Sequence, residues 1–340
     1  MTARFVLRDR EAREAEETAW LAPGAMRSAD SRGRRRPEPP DAMRTAYERD
    51  RDRILHSKAF RRLKHKTQVF VDPEGDHYVT RLTHTLQVTQ IARALAAALS
   101  LNEPLAEAIA LGHDVGHSPF GHTGEDALSP YFPTTGGWHH AAQSVRVYDV
   151  LEDLNLTWEV RDGIRAHSWK ITPPPDTAEA RCVRYADRIA YLTHDALDAM
   201  RAGLLTGDRF PAAMTARFGP PGSSWIGGMI DAVIEGSLSS GEVRMDDATL
   251  SAMNELRDFM FERVYLAPSQ REHHRAAVDV IRRLMDHHLA HPDDLPASYR
   301  DNDADRVTQA ADYVAGMTDR FALRVHQRLF GRPGMDDPEL

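Results

Sequence analysis

The sequence predicts an all-α fold, and three observations carry that reading. Apolar residues recur at mostly three-to-five spacing through long stretches, the period of a helix that buries one face. Strand-like alternation is scarce, with Gly241–Met245 at most one short strand. Breaks such as Pro173-Pro174-Pro175 and Gly219-Pro220-Pro221-Gly222 separate the periodic stretches. No internal repeat is evident, and 340 residues are enough to bury a large core.

Taken in order, residues 1–42 form a partly extended N-terminal segment. Met1 to Trp20 alternates acids and arginines without an apolar signal-like run. Residues 22–42 hold Pro, Gly, Ser and the run Arg34-Arg35-Arg36, read as a loop whose arginines are either a solvated arm or a phosphate- or partner-binding one. The role of the arginine-rich 27–36 stretch stays open.

Helical character begins at Met43 and opens a core region, 43–205. Tyr47, Ile54, Leu55, Phe60, Leu63 and Val69 are its first apolar positions, set among charges. Leu82, Leu86, Ile91, Leu95 and Leu99 then mark one long amphipathic helix, with Thr83 near its start and His84 in the first turn or two. Glu103-Pro104 opens the next helix, lined by Leu105, Ala108, Ile109 and Leu111. Pro119 and Gly121 begin a loop presenting His117 and His122. Residues 140–156, 158–167 and Val183–Met200 read as helices, with Trp158 and Trp169 in the core. A C-terminal, mostly helical region, 206–340, packs on this core. Its signals are few over 204–247 and helical from Ala248 to about Arg332.

The formal net charge of −8 argues against wholesale coating by nucleic acid, while leaving room for a local basic patch. A single cysteine, Cys182, allows no intramolecular disulfide, consistent with the cytoplasm as the expected location. No run of 18 apolar residues predicts a membrane span.

The chemistry concentrates in one third of the chain. Six of the 17 histidines fall between positions 84 and 140, where even spreading would put about three, so the clustering favours a site. His84, the pair His113-Asp114, and Asp187 offer two imidazoles and two carboxylates, a donor set for a divalent cation. The bland alternative is a hydrogen-bonded network without metal. An unpaired buried carboxylate costs several kcal/mol, which a cation would offset. Magnesium or manganese is the first expectation; iron, cobalt, nickel and zinc accept parts of the same set. An open metal position polarises a phosphoryl oxygen and activates water, so the class predicted is metal-assisted phosphoester hydrolysis. His117 and His122 then lie close by. Glu125, three residues after His122, orients that imidazole and favours its protonated form, the acid for a leaving alkoxide. Asp187, Tyr191 and Asp195 share one helical face, which suits the wall of a polar cavity. Arg81, Arg188 and the basic stretch Lys58, Arg61, Arg62, Lys64, Lys66 could hold a polyphosphate.

Several longer stretches sharpen this. Asp50-Arg51-Asp52-Arg53-Ile54-Leu55-His56-Ser57-Lys58-Ala59-Phe60-Arg61-Arg62-Leu63, Lys66-Thr67-Gln68-Val69-Phe70, Arg81-Leu82-Thr83-His84, the run Gly112 to Glu125, and Tyr185-Ala186-Asp187-Arg188-Ile189-Ala190-Tyr191 together resemble bacterial deoxyguanosine triphosphate triphosphohydrolase-like proteins, which are HD-domain enzymes. The likeness covers most of 30–200 and resumes from Leu256-Arg257 to Val264-Tyr265. It implies an HD-domain helical core with N- and C-terminal helical elaborations, and cleavage of deoxynucleoside triphosphates to deoxynucleoside and intact triphosphate. It implies a metal on His84, His113, Asp114 and Asp187, and acid–base work by His122 with Glu125. His117 and His140 fall near the phosphates, with Arg81, Arg188 and Arg257 as phosphate contacts. Gln68 and Asp195 meet the sugar 3′-hydroxyl, and Tyr191 and Tyr265 are sugar walls that exclude a 2′-hydroxyl. Homo-oligomers and a regulatory nucleotide are implied as well. One departure is Trp138-His139-His140-Ala141-Ala142-Gln143-Ser144, where an acidic-His-Asn sequence is usual; His140 is taken as the matching histidine.

Two other readings compete. One is an HD-type nucleotidase or a cyclic-dinucleotide phosphodiesterase, although the latter would want a Gly-Tyr-Pro signature that is not found. A guanosine tetraphosphate hydrolase would favour acids after His113-Asp114, where Val115-Gly116-His117 stands. The other is a nucleotide sensor or nucleic-acid binder, with single-stranded DNA as partner, motivated by the Arg34–Arg36 arm and the 51–66 basic stretch. Base preference is not legible.

Overall fold

The computed structural model describes residues 5–68, 79–267 and 271–331. Val69 and Phe70 of the motif above lie outside the described residues. Sixteen α-helices run through the described residues, beginning with α1 (Arg10–Trp20), α2 (Ala46–His56), α3 (Lys58–Arg62) and α4 (Arg81–Ala98). There follow α5 (Glu103–Gly112), α6 (Gly121–Leu128), α7 (His140–Arg146), α8 (Trp158–Ala166) and α9 (Ala178–Arg201). The rest are α10 (Ala212–Phe218), α11 (Ser223–Ser240), α12 (Asp247–Met260), α13 (Arg271–Ala290), α14 (Ala297–Arg300), α15 (Arg306–Ala315) and α16 (Asp319–Phe330). Extended pairing among the described residues is limited to isolated bridges, Arg34 with Thr157 and Thr67 with Thr80. The all-α expectation therefore holds.

The centre is α5, packed between α2, α4, α8 and α9. Leu105, Ala106, Ala108, Ile109, Ala110 and Leu111 are all buried, so this helix is apolar on every side, as a central helix must be. Asn102 caps it, accepting the Leu105 N–H at 3.1 Å, and Pro104 occupies its first turn. The helix α4 begins at Arg81, with Thr83 and His84 in its first turn as expected; Thr80 is the cap and accepts the Thr83 N–H at 3.3 Å. Its buried stripe is Val88, Ile91, Ala92, Leu95 and Ala96, whereas Leu86 is exposed. A second apolar core joins Phe120, Ala127 and Leu128 to α13, α15 and α16.

Several expectations need correction. Gly241–Met245 is irregular backbone, not a strand. The weakly patterned 204–247 stretch contains α10 and α11. Glycines and serines lower the helix propensity of α11, but Trp225, Met229 and Val233 anchor it in the main core. The expected helix over 140–156 ends at Leu151. His122 lies in the first turn of α6, not on a loop. Trp158 and Trp169 are half-buried, each beneath an arginine: Arg32 lies 3.7 Å from the Trp158 ring and Arg188 3.9 Å from that of Trp169.

The arginine run divides. Arg34 pairs with the fully buried Asp50 and donates to the carbonyls of Ala46 and Asn155. Asp50 also accepts the Thr157 N–H and hydroxyl, each at 2.7 Å. Arg34 therefore ties the N-terminal segment to α2 and the start of α8. Arg35 and Arg36 instead meet Asp149 and Asp153 at the surface. Replacing Arg34 by Met strands a buried carboxylate and should destabilise the protein by about 3–5 kcal/mol in denaturant titration. Arg36→Met should leave the midpoint nearly unmoved.

Candidate metal centre and its histidine shell

Helix ends build the site. His113 follows α5 and is fully buried. Its Nδ1 lies 2.6 Å from the Ala110 carbonyl, so it donates there and leaves Nε2 as a bare acceptor. That Nε2 has no hydrogen-bond partner and faces Asp114 Oδ1 at 3.5 Å and Asp187 Oδ1 at 3.7 Å. His84, in the first turn of α4, places Nε2 3.1 Å from Asp187 Oδ1 and 3.8 Å from Asp114 Oδ2. Asp187 comes from the middle of α9. A buried ring nitrogen aimed at two carboxylates, with no other partner among the described residues, suits a divalent cation. Burial pushes Asp187 up, yet His84 and His113 outweigh it and hold the carboxyl down to about 2. Asp114 is likewise held well below the usual range against burial, by His113, His117 and Arg81. Arg81 donates to Asp114 Oδ2 at 2.7 Å.

Beside this pair of carboxylates stands a histidine shell centred on Glu125 of α6. Its carboxylate meets His122 Nδ1 and His140 Nδ1, each at 3.1 Å, and accepts the His140 backbone N–H at 3.2 Å. Burial works against this charge, but His140 and His122 hold Glu125 far below the usual carboxylate range. His117 stacks on His140 with ring centroids 3.9 Å apart and planes 14° from parallel. Two stacked, nearly parallel imidazoles cannot both direct an in-plane lone pair at one ion. That stacking suits the His117, His122, Glu125 and His140 group less well to a cation than His84, His113, Asp114 and Asp187, although its donor atoms also lie close together. His122 is the exposed member, with 67% of its side chain accessible. His139 caps α7, accepting the Ala141 N–H at 3.2 Å, with its Nδ1 3.9 Å from Glu125, whereas His140 is the buried ring bonded to Glu125 and His167.

His167 is not among the residues singled out from the sequence. It is buried, and its Nε2 lies 3.1 Å from His140 Nε2. Its Nδ1 donates to the Ile164 carbonyl at 2.7 Å, so Nε2 is an acceptor and the proton between the two rings belongs to His140. His140 thus donates at both ring nitrogens, to His167 and to Glu125. Burial opposes that charge, Glu125 outweighs it, and the His140 pKa is raised. Burial, with His113 and His140, lowers His167 to about 3. A signal did exist: His167 follows α8 as His113 follows α5, each ring turned back onto a carbonyl three residues earlier.

The remaining predicted residues line α9 and its neighbours. Arg188 donates to Asn254 at 3.0 Å, another contact not foreseen, and burial lowers its pKa. Tyr265 donates to Asp195 at 2.6 Å. Burial raises Tyr191 to about 12. Gln68 has a buried side-chain oxygen without a partner among the described residues. Arg257 is turned to Asp258, 2.6 Å away and partly exposed. Of the upstream basic stretch, Lys66 is buried and the rest point outward or are partly covered.

This helical frame around a His…His-Asp…Asp centre is that of the HD-domain phosphohydrolases. The HD-domain family model matches residues 81–192, and the phosphohydrolase-associated domain matches 243–328. A deoxyguanosinetriphosphate triphosphohydrolase-like protein from Caldanaerobacter subterraneus subsp. tengcongensis is 46% identical, over 94% of this chain and 95% of its own. Those from Desulfatibacillum aliphaticivorans (94% and 97% covered) and Cereibacter sphaeroides (92% and 100%) are 44% and 40% identical. The chain belongs to the deoxyguanosinetriphosphate triphosphohydrolase-like family. No helix of the described residues is long and apolar enough to cross a membrane.

Asp195 yields a pH-dependent prediction. Burial raises its carboxyl to about 7, above its unfolded value, so its stabilising contribution is present at low pH and lost as pH rises through 7. Asp195→Asn should therefore gain stability relative to the unmodified protein by about 1.4 kcal/mol per pH unit between about pH 4 and about pH 7, with no further gain above about pH 7. Thermal melts at pH 5 and pH 8.5 measure it.

Proposed function

We propose that this protein hydrolyses deoxynucleoside triphosphates to deoxynucleoside and inorganic triphosphate. The observation that carries the reading is the adjacency of two sets of groups. A carboxylate–imidazole centre fit for a divalent cation adjoins an exposed histidine whose carboxylate partner, Glu125, is buried. Names borne by relatives over nearly the whole chain support the same substrate class.

His84, His113, Asp114 and Asp187 would hold the cation, magnesium or manganese before iron, cobalt, nickel or zinc. When bound, a divalent ion polarises a phosphoryl oxygen and lowers the pKa of water. The protein's own groups do the rest. His140, a donor at both ring nitrogens, presents a cationic ring to phosphate oxygens, and His117, its pKa lowered well below the usual range by burial and by Arg81, stacks against it as a neutral imidazole. Arg81, Arg188 and Arg257 add charge, Arg188 being steadied by Asn254 and the Trp169 ring. Water attacks the α-phosphorus, the bond to the 5′-oxygen breaks, and His122 gives its proton to that oxygen while Glu125 holds the ring. Asp195, with Gln68, accepts the 3′-hydroxyl, and Tyr191 and Tyr265 close the space where a ribose 2′-hydroxyl would sit.

The test is product identity. Each of the four deoxynucleoside triphosphates, alone and mixed, is incubated with the protein and manganese or magnesium, and the products are separated by chromatography. Deoxynucleoside plus triphosphate is expected; monophosphate plus pyrophosphate would sink the reading. His122→Ala should lower kcat by about 10²–10⁴-fold. Asp114→Ala should end turnover and remove the bound metal, measured by elemental analysis.

A further inference from the structure

The segment His117–Phe120 and the start of α6 carry both His117 and His122, yet their backbone is gripped from outside the HD-domain region. Asp319, the first residue of α16, is buried and accepts the Phe120 N–H at 3.1 Å through one oxygen and the Thr67 N–H at 2.9 Å through the other. The buried ammonium of Lys66 donates to the His117 carbonyl and, at 2.8 Å, to that of Ala315 at the end of α15. These two side chains thus bind the backbone of the segment at both ends, and each also fixes a second chain stretch.

Phe120 needs the grip. Its backbone is left-handed, φ 61° and ψ 24°, and Gly121 follows at φ 57°. A non-glycine residue in this region persists only where its surroundings enforce it. The Phe120 ring plugs the second core among α13, α15 and α16, so side chain and N–H are both held by the C-terminal helices. Gly121 lies where a Cβ would come within 3.0 Å of the Arg81 guanidinium and 3.2 Å of the Gln68 carbonyl. A displacement of this segment would therefore move the surroundings of Arg81 and Gln68 with it.

We propose that Asp319 and Lys66 are positioning residues: through them the C-terminal helices set the place of His117 and His122 against the metal centre. This rests on the hydrolase reading for its kinetic consequence, but not for its structural one. Asp319→Asn keeps the shape of the side chain and turns an NH2 toward one of the two N–H donors, breaking one bond. Val325→Ala opens the same C-terminal core without touching the clamp and serves as the stability control.

Amide hydrogen exchange of peptides spanning 115–125 reads the clamp directly, with no need of substrate. Exchange about tenfold faster in Asp319→Asn and unchanged in Val325→Ala is expected. In turnover, a misplacement of about 1 Å corresponds to a kcat loss of about 10–100-fold, with KM within about threefold and metal content unchanged in Asp319→Asn. Exchange within threefold of the unmodified protein in Asp319→Asn, or the same acceleration and kcat loss in Val325→Ala, overturns the proposal. If the unmodified protein releases no deoxynucleoside, the hydrolase reading fails, while the exchange comparison still judges the clamp.

Discussion

The carboxylate of Asp114 lies almost wholly out of water, and the surrounding structure is organised by the need to keep it charged there. Arg81 donates to it, His113 and His117 flank it, and His84 and Asp187 face it across the space a cation would fill. Each partner sits at or near a helix end or on α9. α4 supplies His84 in its first turn and α5 ends on His113. α6 and α7 begin beside His122 and His140, and α8 ends on His167. Helix ends are where backbone groups lack intrahelical partners. Here side chains and backbone satisfy one another: Glu125 takes the N–H that opens α7, and Ala110 and Ile164 orient the two histidines that close α5 and α8. The close approach of α7 needs Gly116, where a Cβ would collide with the backbone of Ser144 and His140.

How much of this was legible follows from how local each feature is. The His…His-Asp…Asp set could be read because each residue is a strong ligand type in a short, marked context. The face Asp187, Tyr191, Asp195 could be read because helical periodicity alone fixes it. The interiors of α4, α5 and α9 were visible for the same reason. What stayed hidden depends on contacts between distant parts of the chain. His167, Asn254, Lys66 and Asp319 acquire their places from tertiary packing, and a buried lysine in a basic stretch looks like any exposed one. α11 was hidden because its glycines and serines weaken the local signal that its buried Trp225 and Met229 override.

Arg34 and Asp319 illustrate a common device. Each is a charged residue remote in sequence from what it holds, and each satisfies backbone or carboxylate groups that irregular segments would otherwise bury unpaired. The irregular stretches 22–42 and 113–121 are thus fixed by buried polar pairs to regular elements as well as by apolar anchors such as Val115 and Phe120. The HD-domain region and the phosphohydrolase-associated region share the hydrogen bonds of the histidine-bearing segment. They are joined as well by Asp312, which receives both Gln143 and Arg146 of α7.

His122 differs from every other imidazole of the cluster in being open to water. Its ring reaches bulk solvent directly, without a path through the interior. The buried rings of His113, His117, His140 and His167 have no such access. The cluster therefore sets, within a few ångströms, one ring in contact with the medium beside a set of rings shut away from it.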